Sequence, residues 1–94
     1  EAKSIARKFR KTMGRSAILA TLAARDAIEQ SALDTEILNS GRTGVGFGSS
    51  TGSVDSTEKF FIEQLKTHSM HQISSSMFFQ IMSHTAAANI AQTF

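Results

Sequence analysis

Apolar residues recur every three or four positions through the first third of the chain. This spacing predicts helix from about Ser4 to Leu33. Gly14 is expected to bend or break it, leaving a basic lead-in and an alanine-rich main helix. So many alanines indicate close backbone packing against another element. A short helical turn is expected to open near Thr35 and to end at residues 39–41.

Two more helical patterns occupy the second half. The first runs from Ser53 to roughly His71, with Ser53 or Asp55 as its N-cap. A serine run at residues 74–76 then caps a third helix, residues 77–94. This last helix is apolar almost all round, which is typical of a large core or an oligomer interface.

The segment at residues 43–52 alternates glycine with other small residues and with two strand formers, Val45 and Phe47. It predicts one short buried strand that ends in a Gly/Ser/Thr loop, where close approach of another backbone or a ligand is expected. A single buried strand needs neighbours on both edges. The chain is therefore expected to be a piece of a larger α/β unit.

Composition narrows the function classes. The 94 residues allow at most one domain, and 40% hydrophobic residues argue against disorder. The absence of cysteine excludes disulfides, thiolate metal sites and a cysteine nucleophile within this chain. No apolar run reaches 18 residues, and the charged start lacks a signal core. No membrane contact and a cytoplasmic location are therefore expected.

Charge is distributed unevenly. Residues 1–15 hold six cations and one anion, whereas the remainder holds four cations and seven anions. A basic head on a mildly acidic body predicts docking to an acidic partner, although a merely solvated basic helix is an open alternative. Nucleic acid fits less well, because aromatic residues are not interleaved with the charge. Phe9 and Met13 are expected to anchor the side opposite the cations. The cations on adjoining turns are Arg7, Lys8, Arg10, Lys11 and Arg15.

Other candidate chemistry is weak. The glycine loop lacks the Lys-Ser/Thr ending of a P-loop, and Thr51 stands where a dinucleotide fingerprint has glycine or alanine. A tight strand-to-helix turn is the simpler interpretation. His68 and His71 could share a helix face, but zinc needs a third protein ligand. We expect no metal and no cofactor, and the chain contains no self-contained active site.

Three motifs in order carry a family resemblance. The chain resembles the N-terminal half of β-ketoacyl-[acyl-carrier-protein] synthases, and among these it most resembles the bacterial aryl-polyene and type II polyketide enzymes. The motifs are residues 7–15 (RKFRKTMGR), 43–53 (TGVGFGSSTGS) and 78–91 (FFQIMSHTAAANIA). The resemblance implies an α/β fold, an incomplete thiolase-like one with about three helices and one short buried glycine-rich strand. It also implies decarboxylative Claisen condensation in fatty-acid or polyketide/polyene biosynthesis. The resemblance divides the chain into three parts: a basic docking segment at 1–15, a helix, strand and glycine loop at 16–53, and helices of the dimer interface at 54–94.

The resemblance also implies roles for individual residues. Arg7, Lys8 and Lys11 match the cations that dock the acidic acyl carrier protein, with Arg10 and Arg15 as auxiliaries. Thr51 matches the residue that limits acyl-chain length, and Met77 and Met82 match tunnel residues that are contributed across the dimer. A homodimer or heterodimer with another ketosynthase-type chain is implied, and its interface residues are Phe78, Phe79, Ile81, Ala86 and Ile90.

No residue here matches the family's nucleophilic cysteine, its two catalytic histidines or its lysine, so no catalytic residue is assigned to this chain. Chain-length factors share the N-terminal motifs and lack the cysteine. Two alternatives to a part of an active synthase therefore stay open: a non-catalytic subunit of that kind, and a helical interaction module that docks an acidic partner.

Overall fold

The computed structural model describes residues 2–68 and 74–94. This part of the chain is built from helices joined by irregular segments. A 3-10 turn spans Ala2–Ser4, and the α-helices are α1 (Arg7–Arg10), α2 (Arg15–Ser31), α3 (Thr35–Leu38), α4 (Val54–Thr67), α5 (Ser75–Gln80) and α6 (Thr85–Thr93).

The helix break predicted at Gly14 is confirmed. Gly14 is the N-cap of α2, and its C-cap, Ala32, has the left-handed conformation with φ 55°. Gly14 is also buried against the residues that open α4. An added Cβ there would overlap the Ser53 side chain and lie 2.7 Å from Ser56 Oγ. The break thus combines a weak helix former with a close approach that needs glycine.

The predicted glycine-rich strand is wrong. Residues 42–49 have no regular secondary structure, and the described residues contain no strand at all. Val45 and Phe47, the two strand formers, are 44% and 41% exposed. A strand exists through hydrogen bonds to a neighbouring strand, and the described part of the chain offers none. The described residues therefore form a helical structure, and the α/β fold expected from the sequence is not seen in them.

The third predicted helix is in fact two helices. Ser74 caps α5 as expected, because its hydroxyl accepts a hydrogen bond from the Met77 amide at 3.1 Å. The helix then stops because the Phe79 carbonyl accepts from the Met82 amide and from the Thr85 hydroxyl. A continuous helix would instead pair that carbonyl with the amide of residue 83. The end predicted for the preceding helix, near His71, lies outside the described residues.

The core forms where α2 packs against α6. It includes Ile5, Met13, Ala17 and Ala86, so alanines from both helices meet, as the alanine-rich pattern predicts. Thr21 is 1% exposed in α2, and its hydroxyl donates to the Ala17 carbonyl at 2.7 Å. No helix among the described residues combines the length and apolarity needed to cross a bilayer.

A second contact joins α4 to α5. Phe60 is 6% exposed, and its ring centre lies 6.4 Å from that of Phe78. Phe61, Ile62 and Leu65 lie on the same helix as Phe60 but are more than half exposed, at 53%, 51% and 72%. This corner of the chain therefore has less of its apolar surface covered than the α2–α6 core.

Candidate functional site

The basic segment, residues 7–15, places most of its cations in solvent. Arg7, Lys8, Lys11 and Arg15 are exposed. Arg10 is half-buried, and its guanidinium Nη1 donates to the Ala2 carbonyl at 3.2 Å, which ties the 3-10 turn to α1. The segment therefore presents flexible ammonium and guanidinium groups on an ordered backbone.

The apolar side of the basic segment is fixed to the core. Met13 is 4% exposed, and Phe9 packs against the cluster that contains Ile5 and Ala86. The Lys8 ammonium lies 4.9 Å from the centre of the Phe9 ring, within cation–π range. The anchoring by Phe9 and Met13 that the pattern predicts is confirmed, so the cations can project from the opposite side.

Among the described residues, no acid forms an ion pair with the cations of the basic segment. Within residues 2–68 and 74–94, the ion pair present is Arg25 with Asp26, at 4.0 Å between Nε and Oδ1. None of the basic segment's side chains takes part in an ion pair in those ranges. Unneutralised charge on one exposed surface raises the local positive potential and attracts anionic partners.

The glycine loop lies beside the segment between α5 and α6. Gly52 has a left-handed φ of 67°, and a Cβ there would be 3.3 Å from the Ile81 carbonyl and 3.6 Å from that of Met82. Thr51, the candidate chain-length residue, is exposed next to this contact. Met77 and Met82, the candidate tunnel residues, are half-buried. The structure thus brings the loop that carries Thr51 to the backbone of Met82.

The candidate interface residues divide into two groups. Phe78 and Phe79 are 41% and 49% exposed, and Ile81 is half-buried. Ala86 and Ile90 are only 4% and 8% exposed, because α6 is covered by this chain itself. Only the first group therefore offers apolar surface that a second chain could cover.

Asp55 lies in the first turn of α4, beside the Gly14 contact. The Ser53 hydroxyl donates to its Oδ1 at 2.8 Å, and this hydrogen bond lowers the pKa of the Asp55 carboxyl below its usual range. The Ser53 oxygen also accepts from the Ser16 amide at 3.4 Å. Ser53 is the N-cap residue of α4, as predicted, but its hydroxyl makes no capping hydrogen bond and instead connects the start of α2 to Asp55.

The sequence did not predict the contacts of three polar residues, Thr12, Gln80 and Asn89. They form hydrogen bonds between the basic segment and the helices α5 and α6. The available signal was the polarity of Gln80 and Asn89 inside an almost wholly apolar stretch, because a buried amide needs a partner.

Metal chemistry finds no support in the described ranges, where no three His, Asp or Glu side chains gather as ligands. His68 lies at the C-cap of α4 with φ 54°. The proposed pairing of His68 with His71 involves a residue outside the described ranges.

Comparison with known proteins gives consistent results. The family model described as the N-terminal domain of beta-ketoacyl synthase matches residues 1–94. A crystal structure of a beta-ketoacyl synthase from Burkholderia phymatum STM815 is similar, with 33% identity and a TM-score of 0.80. The match covers 95% of this chain but 22% of that synthase, so the chain spans about a fifth of its length. A search of curated proteins found no significant match.

Proposed function

Because this chain belongs to the β-ketoacyl synthase family, we propose that it supplies the carrier-docking surface of a 3-oxoacyl-[acyl-carrier-protein] synthase. The reaction proposed for the complete protein is decarboxylative Claisen condensation, in fatty-acid or polyketide/polyene biosynthesis. A cysteine thiolate would take the acyl group, and histidines would assist the loss of carbon dioxide. The residues of this chain act by binding and by shaping the acyl site.

The observation that carries the proposal is the exposed, unneutralised charge on the basic segment. Arg7, Lys8 and Lys11 are exposed and lie on or next to one short helix whose apolar side is anchored in the core. An acidic carrier protein would be drawn to this surface by long-range attraction and oriented by it on arrival. Arg15 and the half-buried Arg10 would add to the potential at its edges.

The glycine loop would line the tunnel that holds the acyl chain. Thr51 would limit chain length from its loop, with Met77 and Met82 as further parts of the tunnel wall. The contact between Gly52 and residues 81–83 supports a shared location, because it brings the loop that carries Thr51 to the backbone of Met82, which would contribute to the tunnel across the dimer. Phe78 and Phe79, with their exposed rings, would contribute to a dimer surface with a second ketosynthase-type chain.

Charge reversal tests the docking proposal. Arg7→Glu, Lys8→Glu and Lys11→Glu are combined in the complete protein, and the Kd for acyl carrier protein is measured at several salt concentrations. We expect binding to weaken by about tenfold or more at low salt and to lose most of its salt dependence.

The chain offers a matched control. Arg42, Lys59 and Lys66 are also exposed and comprise one arginine and two lysines. Reversing these three changes the net charge equally and should alter the Kd far less. Equal effects of the two triple variants, or an unchanged Kd in the first, would contradict a docking role for the basic segment.

A further inference from the structure

Two side-chain amides bind the backbone at the C-terminal end of the basic helix α1. Gln80 Nε2 donates to the Lys11 carbonyl at 3.1 Å, and Asn89 Nδ2 donates to the Thr12 carbonyl at 3.4 Å. Carbonyls at the end of a helix have no partner within that helix. These two find theirs in α5 and α6, 69 and 77 residues further along the chain.

Each amide is also oriented by a hydroxyl. The Thr12 hydroxyl donates to Asn89 Oδ1 at 2.8 Å, and the Ser56 hydroxyl donates to Gln80 Oε1 at 3.2 Å. Because the oxygen of each amide accepts from a hydroxyl, its NH2 group is turned toward the backbone carbonyl. Asn89 and Ser56 are 3% and 4% exposed, so water has limited access to the bonds that they make, whereas the bond from Gln80 to the Lys11 carbonyl is exposed.

Gln80 therefore joins three elements through one amide. Its Oε1 accepts a hydrogen bond from α4, and its Nε2 donates to the Lys11 carbonyl in the basic segment. Its backbone belongs to α5. Gln80 lies between Met77 and Met82 in sequence, so the candidate tunnel residues flank the residue that holds Lys11. The position of Lys11 is thereby coupled to the wall of the proposed acyl tunnel.

We propose that Gln80 and Asn89 are positioning residues for carrier docking; this rests on the proposed function of the basic segment. They hold the backbone of Lys11 and Thr12 in one register against α5 and α6. A carrier bound to the exposed cations is then presented at a defined place relative to Met77 and Met82. Preorganising a binding segment strengthens binding because less conformational entropy is lost on association.

Neutral, shape-conserving variants of the complete protein test this role. Gln80→Met and Asn89→Leu remove the amides without changing charge, and Thr12→Val removes only the hydroxyl that orients Asn89. Each is measured for its Kd for acyl carrier protein across salt concentrations and for its thermal midpoint. Asn39→Leu is the control, because Asn39 Nδ2 also donates to a backbone carbonyl at 3.1 Å, but to that of Thr35 and not to the basic segment.

The expected result is a Kd weaker by up to about fivefold for Gln80→Met and Asn89→Leu, because the affinity lost by loosening the segment is limited to about the free energy of the hydrogen bond that held it. The salt dependence should stay as in the unaltered protein, since every cation remains. Asn39→Leu should bind normally.

A purely structural role predicts a different pattern. The thermal midpoint would fall while the folded variants kept the original Kd, and that result would overturn the proposal. If Asn89→Leu does not fold, an unchanged Kd in Gln80→Met and Thr12→Val overturns it equally. Failure of docking itself would be seen separately, as an unchanged Kd in the triple charge reversal of Arg7, Lys8 and Lys11.

Discussion

The Thr12 hydroxyl donates a hydrogen bond to Asn89 Oδ1 at 2.8 Å, joining residues that are 77 positions apart. Thr12 follows the short basic helix, and Asn89 is buried in α6. The beginning and the end of the chain therefore meet at the same polar contact, next to the core that Met13 and Ala86 share. The candidate docking cations and the proposed acyl-site elements thus belong to one packed unit.

Replacing Gly14 by alanine should destabilise the fold. The new methyl group would overlap Ser53 and lie 2.7 Å from Ser56 Oγ, so α2 and α4 would have to separate. We expect a loss of about 2 kcal/mol in the free energy of unfolding, typical of overpacking. Gly44→Ala is the control, because nothing lies within 4 Å of a Cβ there. Equal denaturant midpoints for the two variants would refute the close approach.

Stability should depend on the ionisation of Asp55. The Ser53 hydroxyl lowers the pKa of this carboxyl in the folded protein, so folding is favoured when Asp55 is ionised. The stabilisation is fully present above the pKa of an unfolded aspartate, about 4, and is lost as pH falls through the lower folded pKa.

Ser53→Ala removes the largest cause of this shift. The Asp55 pKa, followed by NMR titration, should rise toward its ordinary value, and denaturant unfolding should show a smaller loss of stability on acidification. The effect is expected to be small because Asp55 is exposed. An identical Asp55 titration in both proteins would show that the Ser53 hydrogen bond does not control it.

Enlarging Thr51 to phenylalanine in the complete protein should shorten the products. Thr51 is exposed on the glycine loop, next to the contact that Gly52 makes with residues 81–83. A bulky ring at the proposed tunnel wall would exclude longer acyl chains by steric overlap. Mass spectrometry of the acyl products measures this, with Ser50→Phe on the neighbouring exposed position as the control. An unaltered distribution of chain lengths would remove Thr51 from the tunnel.

The substitution Phe79→Asp should weaken a dimer of the complete protein. Phe79 is 49% exposed, and burying a carboxylate in an apolar interface is costly. We expect the dimer dissociation constant to rise about thirtyfold, as for a strong interface residue. Ile37→Asp controls for added charge at an exposed apolar site, since Ile37 is 54% exposed on α3. Sedimentation that is the same for both variants would place Phe79 outside the interface.

Local features of this chain were predictable because they depend on neighbouring residues. The interruption at Gly14 follows from the low helix propensity of glycine, and the cap at Ser74 from a hydroxyl placed three residues before a free amide. The anchoring of Phe9 and Met13 follows from apolar spacing alone. The family could also be predicted from the sequence, because three motifs occur in the family's order.

The two failures have different physical causes. Val45 and Phe47 have strand propensity, but a strand needs a partner, and propensity cannot supply one. The third helix has continuous apolar character, yet a side-chain bond from Thr85 to the Phe79 carbonyl ends α5.

The amino-acid order alone thus determined the break at Gly14, the cap at Ser74, the basic anchored segment and the family. Only the tertiary structure decided which polar groups meet: Lys11 with Gln80, Thr12 with Asn89, and Ser16 with Ser53. These contacts join residues far apart in the chain, and hydrogen bonds between distant groups form only where packing brings the groups within about 3 Å of each other.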